Sequence, residues 1–170
     1  GHEADIIRET LAACGHGVSF TVHPFVRHWT QFKEGQHDAV TTVPPAMDLG
    51  GFHSATYIRY QNGISMLRAN NLPISTLAAL QGKSVIAFKG AKDILPGLKE
   101  AIPGFSRYDE NTDQLIHSNL LFAKRADAVI ADGLIFAEHN RQLRTSASAG
   151  KKLPFDPNQG IVFSATFPAT

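Results

Sequence analysis

The most regular patterning lies in the second half of the chain. Ser84-Val85-Ile86-Ala87-Phe88 is a short apolar run between Gly82-Lys83 and Lys89-Gly90. Ala128-Val129-Ile130-Ala131 is a second such run, held between Asp127 and Asp132. Short apolar runs bounded by turn residues read as buried strands. Helical spacing surrounds them, over Asp93 to Ala101, Thr112 to Lys124 and Gly133 to Gln142. Pro96 fits only the first turn of its helix. Thr76 to Leu80 reads as a short helix with Ser75 as N-cap, and Ser106 to Asp109 as a strand. In the first half, Ala4, Ile7, Leu11 and Cys14 recur at helical spacing before Gly15 and Gly17. Val18 to Val22 alternates like a strand. Val26 to Glu34 reads as a helix with Gly35 at its C-terminus. Asp38 to Val43 reads as a strand stopped by Pro44-Pro45. Tyr57 to Arg68 is extended, and Asn62-Gly63 within it suggests a hairpin turn. Arg144 to Gln159 reads as loop, and Ile161 to Ala165 as a last strand.

Strands alternating with helices predict an α/β protein with mostly parallel sheets. The rhythm repeats on either side of Arg68 to Ser75. The expected organisation is two lobes: 1–68 with 160–170, and 69–159. Composition changes this picture little. With 170 residues, 43% apolar, 18% charged and net charge +1, the chain can bury a real core. No block of like charge points to nucleic acid or an anionic membrane. No apolar stretch reaches the ~20 residues of a membrane span. The first residues read as helix rather than signal peptide. Cys14, the single cysteine, reads as a small helix residue that forms no internal disulfide.

Candidate chemistry gathers after the two apolar runs. Lys89-Gly90-Ala91-Lys92 joins a strand to a helix, where free backbone N–H groups and lysine side chains can hold an anion. The bland alternative is a simple turn with solvated lysines. Asp132 can take a ligand's ammonium or hydroxyl group, or cap the helix after it. Phe88 closes the first run beside this turn. The acidic residues Asp109, Glu110 and Asp113 read as helix N-terminal charges. The eight histidines share no i, i+4 pair and no HExxH spacing, so no metal site is expected. G-x-S-x-G and glycine-rich phosphate loops are absent, and no cofactor is expected.

Five ordered segments resemble the extracellular solute-binding family that includes amino-acid-binding components of ABC importers. They are Asp5-Ile6-Ile7-Arg8-Glu9 with Gly15, Phe32 to Ala39, Phe52-His53-Ser54-Ala55-Thr56-Tyr57, Ile74 to Gly90, and Arg125 to Asp132. The resemblance implies the two-lobed type II periplasmic-binding-protein fold. It implies a small polar solute in an interlobe cleft and closure about a hinge at Tyr60 to Ser65 and Ile161 to Ser164. It also implies an ABC permease as partner and a periplasmic or extracellular location. Ser54, Tyr57 and Thr42 are then first-lobe contacts, with strand packing as the alternative. The family carries a ligand-gripping arginine after its third strand. Pro44 to Leu49 holds none, and Arg27 is the candidate replacement, against an ordinary surface arginine. The family also opens with a strand and closes with helices that have no counterpart here. A shortened first lobe with an unpaired edge is therefore expected, and with it a homodimer. The expected function is non-catalytic solute binding. The alternatives are a dehydratase-like enzyme of the same fold and a self-associating domain that no longer binds solute.

Overall fold

In a computed structural model of the chain, residues 1–24, 26–44, 46–74, 76–148 and 160–170 are described. They fall into two compact units, Gly1–Arg59 and Tyr60–Thr170. In the first unit the helical spacing is realised as α1 (His2–Ala13) and α2 (Arg27–Lys33). Glu3 and Asp5 in the first turn of α1 complement the positive end of its dipole. Cys14 caps that helix and is exposed. Trp29 of α2 is buried, and Gly35 follows the C-cap Glu34 at φ +72°, a conformation that glycine adopts without strain. The strands expected at Val18 to Val22 and Asp38 to Val43 do not form among the described residues. Alternation makes a strand only where a partner pairs its backbone and a core takes one face. Val22 is 92% exposed, and Thr42 stands at φ +58°, outside the extended region.

The second unit is built on one five-stranded sheet: β1 (Asn62–Leu67), β2 (Ser84–Phe88), β3 (Arg107–Asn111), β4 (Ala128–Asp132) and β5 (Ile161–Ser164). Their order is β3-β2-β4-β1-β5. β2 runs parallel to β3 and to β4, whereas β1 is antiparallel to β4 and to β5. The sheet is thus half parallel, not mostly parallel. The expected domain boundary also shifts. Residues 60–68 and 160–170, assigned to the first lobe from the sequence, lie in the second unit, because β1 is hydrogen-bonded between β4 and β5. Asn62-Gly63 opens β1 and is no hairpin turn. A Cβ at Gly63 would overlap the Ser164 carbonyl oxygen and come within 2.6 Å of the Phe163 ring. The close approach of β5 is what requires glycine here.

Helices cover both faces. The region expected as one helix over Asp93 to Ala101 is split into α3 (Ala91–Ile94) and α4 (Leu98–Ala101). Pro96 lacks an N–H and Gly97 turns at φ +75°, which ends one helix and starts the next. α5 (Gln114–Phe122) starts from Asp113, whose carboxylate accepts the Leu115 N–H at 3.0 Å. α6 (Gly133–Ser148) runs further than expected, since no glycine or proline interrupts it before Gly150. The remainder of the expected loop, 149–159, and the expected N-cap Ser75 lie outside the described residues. Period-two alternation sorts the core. Ile64, Met66, Val85, Ala87, Ala128 and Ile130 pack with Ala91, Leu95 and Leu98 of the α3–α4 side. Leu67, Ile86, Val129 and Ala131 pack with Leu121, Phe122 and Phe136 of α5 and α6. Each fully buried aliphatic side chain contributes about 1.5–3 kcal/mol.

Candidate functional site

The helix that follows β2 covers one face of the sheet, and the helix that follows β4 belongs to the other face. β2 and β4 are parallel neighbours, with Ala87 opposite Ile130. Their carboxyl ends therefore lie where the chain connections diverge to opposite faces, the usual ligand position in open α/β sheets. Lys89 follows the last residue of β2, and Asp132 closes β4 at the same end of the sheet. The two predicted motifs, 83 to 92 and 125 to 132, meet at one edge.

Asp132 is 7% exposed and its carboxylate is already well partnered. Oδ1 accepts the N–H groups of Leu134 and Ile135 at 2.9 and 3.0 Å, capping α6. Oδ2 accepts the Gln61 N–H at 2.7 Å. The capping role is thus present, and it fixes the carboxylate at the carboxyl end of β4. Gln61 was missed from the sequence, because only the β1–β4 pairing brings it there. Phe163 of β5 lays its ring over Gly63 and over Gly133, the first residue of α6.

The turn after β2 holds an anion of its own. The Gly90 and Lys92 N–H groups donate to the Glu110 carboxylate at 2.9 and 3.1 Å, and Tyr108 Oη donates to it at 2.8 Å. Lys89 Nζ stands 4.0 Å away. Glu110 on β3 is therefore no helix N-terminal charge, as the acidic spacing had suggested; it is the internal partner of this turn. Burial opposes its charge, but the two backbone N–H groups, Tyr108 and Lys89 together hold its pKa below the usual carboxylate value. Burial first, and then Glu110, push the Tyr108 phenol up. Ala91 is fully buried, Phe88 half-buried, and Lys89 and Lys92 exposed. Period two along β3 places Tyr108 and Glu110 on one face, a sequence signal that links them.

In the first unit, two predicted residues converge on Glu3 of α1. Tyr57 Oη donates to Oε1 at 2.8 Å, and Thr42 Oγ1 donates to Oε2 at 3.1 Å. Burial, then the Glu3 hydrogen bond, raise the Tyr57 pKa to about 12. Glu3 escaped the sequence reading because its partners stand 39 and 54 residues away. Ser54 is exposed and its hydroxyl donates to the Ala55 carbonyl at 2.9 Å. Arg27 is exposed at the start of α2.

By sequence the chain matches no known protein family and no curated protein. By structure it is similar to several binding proteins. An ancestral arginine-binding protein bound to arginine superposes at TM-score 0.75 and 19% identity, over 100% of this chain and 69% of that one. The substrate-binding protein of an amino acid ABC transporter does so at TM-score 0.69 and 15% identity, over 99% and 70%. An ancestral amino acid-binding protein described as a precursor of cyclohexadienyl dehydratase gives TM-score 0.64 and 18% identity, over 79% and 62%. The chain has the type II periplasmic-binding-protein fold. Among the described residues no helix is long and apolar enough to cross a membrane.

Proposed function

We propose that the chain is a solute-binding module that holds a small amine or amino-acid-like molecule at the carboxyl ends of β2 and β4. The observation that carries this reading is Asp132, a carboxylate anchored by three backbone N–H groups at the switch point of this fold. An anchored carboxylate is preorganised for a cationic or hydroxyl-bearing group, so little ordering cost remains at binding. Uptake through an ABC permease or sensing, a periplasmic or extracellular location, and a homodimer belong to the same reading. Val162 and Phe163, about 40% exposed on the edge strand β5, support pairing with a second copy. The fold shared with a dehydratase precursor makes turnover of the solute the second reading.

Mass spectrometry of small molecules released from the purified protein tests this directly, followed by calorimetry with the molecule found. A bound amine or amino acid is expected. Asp132→Asn should then lower its affinity roughly ten- to a hundredfold, from the ~1.5–3 kcal/mol of a hydrogen bond to a charged group. Unchanged affinity in that variant would remove Asp132 from the site. Consumption of the molecule would move the reading to an enzyme.

A further inference from the structure

His23 and His37 stand 14 residues apart, on either side of α2, and share no spacing that marks a metal site in sequence. The fold nevertheless brings their rings together. The two Nε2 atoms are 3.0 Å apart, the ring centroids are 5.1 Å apart, and the planes are tilted by 40°. Both residues are half-buried, so each ring is held by its surroundings yet reachable from solvent. His23 precedes Pro24, which restricts its backbone to extended conformations, and His37 follows the left-handed Gly35 that ends α2. The pair is thus set by backbone on both sides.

We propose that His23 and His37 form a two-imidazole site for a divalent transition-metal ion. Metal–imidazole bonds of about 2.0–2.1 Å, drawn from two nitrogens 3.0 Å apart, enclose an angle of roughly 90–97° at the metal. That is the cis angle of octahedral and square-planar coordination, narrower than the tetrahedral one. With centroids 5.1 Å apart the two Nε2 atoms face each other as a hydrogen bond requires, so the rings swing slightly to aim both lone pairs at the ion; the general affinity order for nitrogen ligands places Cu²⁺ above Ni²⁺ and Zn²⁺. In the metal-free pair, one ring donates its Nε2–H to the other's lone pair. Binding needs both lone pairs, so the donor ring moves its proton to Nδ1. Among the described residues no group of three or more His, Cys, Asp or Glu side chains converges, so water completes the coordination. The ion would fasten the two flanks of α2 to each other and stabilise the first unit by mass action.

The test is a Ni²⁺ titration of the whole chain, read by long-range ¹H–¹⁵N spectra that resolve each imidazole. The ring signals of His23 and His37 should broaden together at low Ni²⁺, well before those of the exposed His16 and His53. His23→Ala and His37→Ala should each weaken Ni²⁺ binding at this site about tenfold or more, through loss of the second ligand's effective concentration. The double variant, which keeps neither imidazole, should show no Ni²⁺ binding at this site. Far-UV circular dichroism checks the fold, and His23→Asn and His37→Asn repeat the measurement with smaller polar side chains. Broadening of His16 and His53 at the same Ni²⁺ concentration, or single variants that retain the affinity, would overturn the site and leave the pair as a hydrogen bond alone.

Discussion

Replacing His117 by leucine should make the second unit less sensitive to acid. His117 lies on α5 with no exposed surface, and neither ring nitrogen has a well-formed hydrogen bond. Burial, and then the neighbouring His139 ring, lower its pKa from 6.5 to about 4. The folded state therefore resists a proton that the unfolded chain accepts. Stability is full above the unfolded pKa and is lost as pH falls from about 6.5 toward 4. The fall from 6.5 to about 4 is worth roughly 3 kcal/mol in all, of which about 2 kcal/mol is gone at pH 5. His117→Leu fills a similar volume, removes the poorly satisfied nitrogens and abolishes this proton linkage. Near neutral pH its stability should equal or slightly exceed that of the parent. Urea unfolding followed by far-UV circular dichroism, near neutrality and at about pH 5, measures the difference. The parent should lose about 2 kcal/mol more than the variant over that interval. Parallel losses in the two proteins would refute the argument that the buried ring stays neutral.

Three other outcomes follow from the packing. Gly63→Ala should cost about 3 kcal/mol or more in urea unfolding, since its Cβ meets backbone that cannot move aside without breaking the β1–β5 pairing. Glu110→Gln should cost about 1–3 kcal/mol near neutrality, because a charged acceptor of two turn N–H groups is lost. The depressed pKa of Glu110 gives stability that is present above the ordinary carboxylate pKa and lost below it, so the variant should also show a smaller loss on acidification below about pH 4.5. Asp132→Ala should lower unfolding stability by about 1–2 kcal/mol through loss of the α6 cap, even without solute; an unchanged urea midpoint would mean that α6 starts without it.

The strands and helices of the second unit were legible where local chemistry acts alone. Val85, Ile86 and Ala87 are buried whichever face they take, and Asp113 caps α5 as an N-terminal Asp should. Long-range pairing was not legible. Asn62-Gly63 looks like a hairpin turn until β5 is known to press on Gly63, and the lobe boundary followed from the same oversight. At the candidate site, the turn and Asp132 were found because each ends an apolar run. Glu110, Gln61 and Glu3 were not, since each acts through a partner distant in sequence. The His23–His37 approach was hidden for the same reason: helix spacing rules compare residues on one element, and these two flank one.

The Phe163 ring also governs which residues can occupy other positions. The three atoms nearest to a Cβ at Gly133 all belong to that ring, at 2.9 to 3.1 Å. Alanine is otherwise the better helix former there, by about 1 kcal/mol. So the preference for glycine at 133 is imposed from thirty residues downstream. A chain that first exchanged Phe163 for a smaller side chain would be released to accept alanine at 133, and the reverse order of substitutions would pass through a strained intermediate. Gly63 gains no such release, because its nearest neighbour is the Ser164 carbonyl. Of two glycines beneath one ring, one is bound to the side chain and its history, the other to the backbone itself.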